Sequence, residues 1–110
     1  MGVASRHRCL LVAGLVSFSQ TLATAQDTGD AAKGRAFAQA NCSQCHAVLT
    51  SQTFPPRAGV ASFKAIANTP GMTALALTVW FRTSHPTMPN LVLNPDDRDD
   101  VIAYIRSLRD

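Results

Sequence analysis

Cys42-Ser43-Gln44-Cys45-His46 is the stretch on which the reading of this 110-residue chain turns. The spacing Cys-x-x-Cys-His is that of a c-type haem attachment site. On one helical turn, two thiols three residues apart reach the two vinyl groups along one edge of a porphyrin and add across them as thioethers. A histidine that follows at once is held beside the macrocycle, where its imidazole binds the iron as proximal ligand. Cys42 and Cys45 are therefore the candidate cofactor-binding residues and His46 the first candidate ligand to iron. Two rival uses of the motif fit less well. A dithiol redox centre sits at a strand-to-helix junction, and the flanks of Cys42 show no βαβ alternation. A structural zinc site needs four ligands. Beyond residue 25 the chain has only Cys42, Cys45, His46 and His85 for that purpose, without the spacing of a second ligand pair.

Upstream of the motif, residues 1–25 read as a secretory leader rather than as structure. Arg6, His7 and Arg8 make a positive start, residues 9–18 are a short apolar run broken by Gly14 and Ser17, and Ala23-Thr24-Ala25 is a small-residue cleavage site that would leave Gln26 first. The apolar run is too short and interrupted for a membrane span, so no stable membrane insertion is expected after cleavage. Cys9 lies ahead of that run, not behind it as a lipid-bearing cysteine would, and is read as part of the leader. The expected organisation is a signal peptide over 1–25 and one domain over 26–110.

The formal charge of +3 counts Arg6 and Arg8. Without them, eight Lys and Arg stand against seven Asp. A near-neutral domain gives no electrostatic support to a nucleic-acid partner. About 85 residues is little for a self-sufficient core, and a buried prosthetic group with two covalent tethers would answer that shortage.

The pattern downstream is one of helices joined by loops. Asp27, Thr28 and Asp30 offer capping oxygens to an Ala-rich helix running from residue 27 or 28 to about 45. Gly34 interrupts it, which hints at close approach by another backbone, since Gly costs a helix interior roughly 1 kcal/mol. Residues 47–60, with Pro55, Pro56 and Gly59, read as a loop whose free carbonyls can accept the Nδ1 proton of His46, with those of Pro55 or Pro56 as candidates. Residues 61–67 suggest a short helix ended by the turn Asn68-Thr69-Pro70-Gly71. Residues 72–83 form a second helix, apolar around most of its circumference, with Trp80, Phe81, Phe63, Phe37 and Tyr104 read as packing residues. A propionate contact from Tyr104 or Trp80 is open. Asn94-Pro95-Asp96-Asp97 opens the last helix with a cap, a proline at its first position and acidic residues in its first turn. Val101, Ile105 and Leu108 form its apolar stripe, and Arg106 and Arg109 close it. Asp96, Asp97, Asp99 and Asp100 are read as a solvated helix start without a metal site. With no strand alternation bounded by hairpin turns, the fold class is all-α.

An iron held by His46 has a sixth position to fill. Met88 is the choice, in the irregular segment Ser84-His85-Pro86-Thr87-Met88-Pro89, where prolines stiffen the backbone that presents the thioether. Soft sulfur favours ferrous iron and raises the reduction potential. His85, three residues away, is the competitor, and both cannot bind one iron. Met72 is read as core.

These residues together resemble the small bacterial class I monohaem cytochromes c. The resemblance covers residues 27–108 and rests on the haem motif, on His85-Pro86-Thr87-Met88-Pro89 and on a closing helix with Val101-Ile102-Ala103-Tyr104-Ile105. It implies helices wrapped around one covalent haem c, with the first and last helices crossing at near right angles and Gly34 at the crossing, against the stretch near Tyr104. Two features depart from the family pattern. The aromatic usually found four residues before the first haem Cys is Ala38 here, with Phe37 one place earlier. The customary Gly-Pro loop after the haem His is replaced by Phe54-Pro55-Pro56-Arg57. The early position of the motif excludes the four-helix c-prime type.

By that resemblance the expected function is that of a soluble periplasmic one-electron carrier. Iron ligated by His46 and Met88 would exchange electrons in transient docking with redox partner proteins, a periplasmic dehydrogenase or a terminal oxidase. Lys33 and Lys64 are the only lysines, so a dense lysine docking ring is absent and apolar contact with an Arg rim takes its place. A haem-based ligand-binding or sensing protein with a labile sixth ligand is the alternative. No enzymatic activity is expected. A haem peroxidase would need an open distal site, and no Arg at motif spacing accompanies His85.

Overall fold

Each helix among the described residues starts where a short polar side chain takes over an orphan backbone N–H. The computed structural model describes Met1, residues 28–83, Met88 and residues 91–110. The expected leader beyond Met1, Cys9 and His85 lie outside the described residues. Helix α1 spans Ala31–Asn41, α2 Phe63–Ala67, α3 Ala74–Arg82 and α4 Pro95–Ser107. Their N-caps are Asp30, Ser62, Thr73 and Asn94, whose side-chain oxygens accept from the N–H of Ala32 and Lys33, of Ala65, of Ala76 and of Asp97 respectively. Among the described residues there is no strand, and no helix long and apolar enough to cross a membrane. The all-α class stands.

Helix α1 is shorter than the composition of residues 27–45 suggests, for reasons visible at both ends. Asp30 is committed as the cap, accepting from Ala32 N at 2.8 Å and Lys33 N at 3.2 Å, which leaves Thr28 and Gly29 outside the helix. At the other end Asn41 Nδ2 donates to Phe37 O at 3.0 Å and Ser43 Oγ to Gln39 O at 2.6 Å. The Ser43 hydroxyl thereby takes the Gln39 carbonyl that the next helical turn would use. The haem motif then folds as a separate turn.

Helices α1 and α4 meet backbone to backbone. A Cβ added at Gly34 would lie 1.9 Å from the Asp100 carbonyl oxygen, and one at Gly29 2.1 Å from that of Asp99. The close approach expected at Gly34 is present, but it falls on Asp100 and Val101, one turn before Tyr104. Tyr104 itself packs on Phe63 and donates its hydroxyl to Val48 O. Ala38, also facing the crossing, is fully buried, while Phe37 is partly buried against the edge of the core. Asp100 and Asp99, read from sequence as solvated, bind the chain entering α1. Asp30 N donates to Asp100 Oδ1 at 2.6 Å and Thr28 Oγ1 to Asp99 at 3.4 Å.

The core gathers Val48, Phe63, Ala67, Leu77, Val101, Ile102, Tyr104 and Ile105 around α4. Each large aliphatic or aromatic side chain fully buried there is worth about 1.5–3 kcal/mol. Arg109 lies beyond the end of α4. Instead of closing that helix it donates from Nε to Ala67 O at 3.1 Å, and from Nη2 to Met72 O, joining the end of α2 to the approach of α3.

Candidate functional site

The motif turn is built by the carbonyl of Cys42. It accepts from Cys45 N at 3.2 Å and His46 N at 3.0 Å, which places both cysteines and the histidine on one turn. Cys42 and Cys45 are unpaired and half-buried. Burial pushes the Cys42 thiol up to about 11, so it is protonated at neutral pH in the folded, haem-free chain. Among the described residues no cluster of three or more His, Cys, Asp or Glu is arranged to hold a metal ion. The zinc alternative thus has no ligand set there.

His46 is oriented through one ring nitrogen. Its Nδ1 lies 2.7 Å from the carbonyl oxygen of Ala61. A carbonyl can only accept, so Nδ1 carries the proton and Nε2 keeps its lone pair for a metal. The expected partners, Pro55 and Pro56, do not fill this role. The chain passes them and returns through Val60, so the carbonyl reaching His46 is the one just before the Ser62 cap of α2. The Pro55-Pro56-Arg57 stretch meets the motif elsewhere, through Arg57 N donating to Cys45 O at 3.4 Å. The imidazole also lies against Phe63, with ring centroids 5.4 Å apart and planes inclined by 59°. Phe63 leans in turn on Tyr104 at 6.3 Å.

The Tyr104 hydroxyl donates to Val48 O at 2.7 Å. That bond engages the proton that a haem propionate would have received from it. Burial raises the phenol pKa above its ordinary value, and Arg35 opposes the rise. Gln52, in the loop where the expectation fell only on Pro55 and Pro56, accepts from Val48 N and Leu49 N, each at 2.9 Å. Sequence gave no sign of it, because the acceptor role depends on the loop closing back on its own backbone. Ala61 was equally hidden, since its contribution is a main-chain atom.

Met88 is half-buried in a bend. Its neighbours at 84–87 and 89–90 lie outside the described residues. Trp80, read as packing, is 51% exposed, as are Leu75 at 74% and Val79 at 56%. Helix α3 turns Leu77 into the core with Phe81 and Ala74 beside it, and a helix so apolar all round keeps the rest of its circumference outside. Phe54, Leu91 and Val92 are exposed as well.

These observations fit a haem. Two free thiols share a turn, an imidazole offers a lone pair beside them, and several large apolar side chains elsewhere among the described residues lack cover. A comparison with curated proteins and one with solved structures find no match. The family model described as Cytochrome c matches residues 31–109, from the start of α1 past the end of α4 and across the haem motif. With the attachment spacing at Cys42 and Cys45 inside that match, the chain belongs to the cytochrome c family, whose members carry covalent haem c for electron transfer.

Proposed function

We propose that the chain is a periplasmic one-electron carrier, exported by the leader at 1–25, in which His46 and Met88 bind the haem iron. The observation that carries the ligation is the His46 imidazole, tied through Nδ1 to Ala61 O and leaving Nε2 free one residue after Cys45. The haem, when bound, supplies a one-electron iron couple. Cys42 and Cys45 tether it. His46 offers a basic nitrogen whose orientation the Ala61 carbonyl and the Phe63 ring set beforehand, so little rearrangement is needed on a change of charge. Met88 offers a soft sulfur that favours the reduced state and raises the potential. Family membership implies redox partner proteins in general, and a periplasmic dehydrogenase or terminal oxidase is the proposed kind. Docking on so small a surface would be brief, with an interface below about 1,200 Å².

A potentiometric titration of the haem-loaded protein tests this. It should give a single one-electron transition, and Met88→His should lower its midpoint, because a second imidazole stabilises ferric iron relative to sulfur. An unchanged midpoint in Met88→His would remove Met88 from the iron. The intact mass of the exported protein should correspond to a chain beginning at Gln26 plus one haem, and retention of residues 1–25 would overturn the leader reading.

A further inference from the structure

The segment after His46 is bound more heavily than a loop of small residues requires. Ala47 and Val48 are each 1% exposed, and their polar main-chain atoms are claimed from three sides. Ala47 O accepts from Phe63 N at 3.0 Å, at the start of α2. Val48 O accepts from the Tyr104 hydroxyl on α4 at 2.7 Å. The Val48 and Leu49 N–H groups both converge on Gln52 Oε1 at 2.9 Å. Gln52 N returns the turn by donating to Leu49 O at 3.1 Å. Two N–H donors facing one atom require the carboxamide oxygen there, so the orientation of the amide is settled by its partners.

These bonds close a circuit on the imidazole. From His46 the chain runs through Ala47 to Val48, crosses to Tyr104 by the hydroxyl, passes to Phe63 by ring contact at 6.3 Å and returns to His46 by ring contact at 5.4 Å. Helices α2 and α4 supply rigid members. The member outside any helix is the loop itself, and Gln52 ties it to its own backbone. If its oxygen is removed, a buried N–H at Val48 loses its partner. The backbone must then shift to find another, carrying the residue next to His46 with it.

We propose that Gln52 is a positioning residue for the proximal ligand, its carboxamide oxygen acting through the Val48 and Leu49 amides, together with the Ala61 carbonyl and the Phe63 ring, to fix the plane of the His46 imidazole. This rests on His46 being that ligand. In ferric low-spin haem the distribution of unpaired spin over the ring follows the orientation of the axial imidazole. The haem-methyl proton resonances therefore read that plane directly, which loss of stability alone does not alter.

The experiment is proton NMR of the ferric holoprotein in wild type, Gln52→Met and Gln52→Glu, with amide hydrogen exchange on the same samples. Met keeps the length of the side chain and lacks the acceptor, whereas Glu keeps an oxygen able to accept from both amides. Gln52→Met should redistribute the haem-methyl shifts and speed exchange at Val48 and Leu49 about tenfold, the scale expected of one lost hydrogen bond. Gln52→Glu should keep the wild-type methyl pattern. Faster exchange in Gln52→Met with an unaltered methyl pattern would overturn the proposal, leaving Gln52 a structural loop residue. If Gln52→Met does not accumulate, Gln52→Ala, which also lacks the acceptor, takes its place, and the same two results decide. A wild-type spectrum without the hyperfine-shifted ring protons of a bound histidine would instead remove His46 from the iron, and this proposal with it.

Discussion

Tyr104 serves packing and polarity at once, with its ring in the core and its hydroxyl on Val48 O. Tyr104→Phe keeps the ring and leaves a buried carbonyl without its donor, which should cost about 1–3 kcal/mol in urea unfolding of the holoprotein. The same residue sets an alkaline limit. Burial raises its folded pKa, so the neutral phenol is favoured in the native state. Its contribution is fully present below the ordinary phenol value of about 10 and is lost as pH rises through the raised folded value. Urea midpoints taken from roughly pH 8 to pH 11 should fall more steeply in wild type than in Tyr104→Phe. At this scale the legibility of the site divides by atom type. Cys42, Cys45 and His46 announce themselves because their chemistry lies in side chains at a specific spacing. The Ala61 carbonyl does not, since every residue has one, and the expectation fell on Pro55 and Pro56 because proline marks backbone outside helices without marking where it is carried.

The pairing of α1 with α4 depends on glycine where backbones touch. Gly34→Ala would place a methyl 1.9 Å from Asp100 O, so one helix must move. The expected loss is about 3 kcal/mol or somewhat more, at or above the upper end of ordinary overpacking, read as a lowered thermal midpoint. Asn94→Ala is the informative companion. It removes the oxygen that accepts from Asp97 N at 2.9 Å and should cost about 1 kcal/mol, a capping loss without any shift of helices. The caps, the proline at the start of α4 and its apolar stripe were readable because they obey local rules. The end of α1 was not, because Ser43 takes one of its last carbonyls in a way that composition does not reveal. The role of Asp99 and Asp100 was also hidden. An acidic run at a helix start satisfies the dipole by itself, and only the neighbouring chain shows that those carboxylates take Asp30 N and Thr28 Oγ1. Arg109 followed the same course, expected at a helix end and found joining α2 to the approach of α3.

The molecule as a whole has a small core and a generous apolar exterior, with Phe54, Leu75, Val79, Trp80 and Val92 each more than half exposed. Protein contacts alone leave such a chain marginal. A Cys42→Ser/Cys45→Ser chain, unable to form either thioether, should accordingly lose cooperative melting by circular dichroism, whereas the holoprotein melts in one transition. The fold class was legible at this scale because helical periodicity and the absence of alternation persist along the whole chain. The exposed face of α3 was not, since a helix apolar all round gives no sequence cue to which side its neighbours take. What most directly tests His46 and Met88 as the two iron ligands is the absorption spectrum of the ferric and ferrous holoprotein, with CO added to the ferrous form. We expect a low-spin spectrum with the weak sulfur-to-iron band, insensitive to CO in wild type, and a Met88→Ala variant that loses the band and binds CO. A high-spin wild-type spectrum, or ready CO binding without substitution, would contradict the closed electron carrier and point to an open iron.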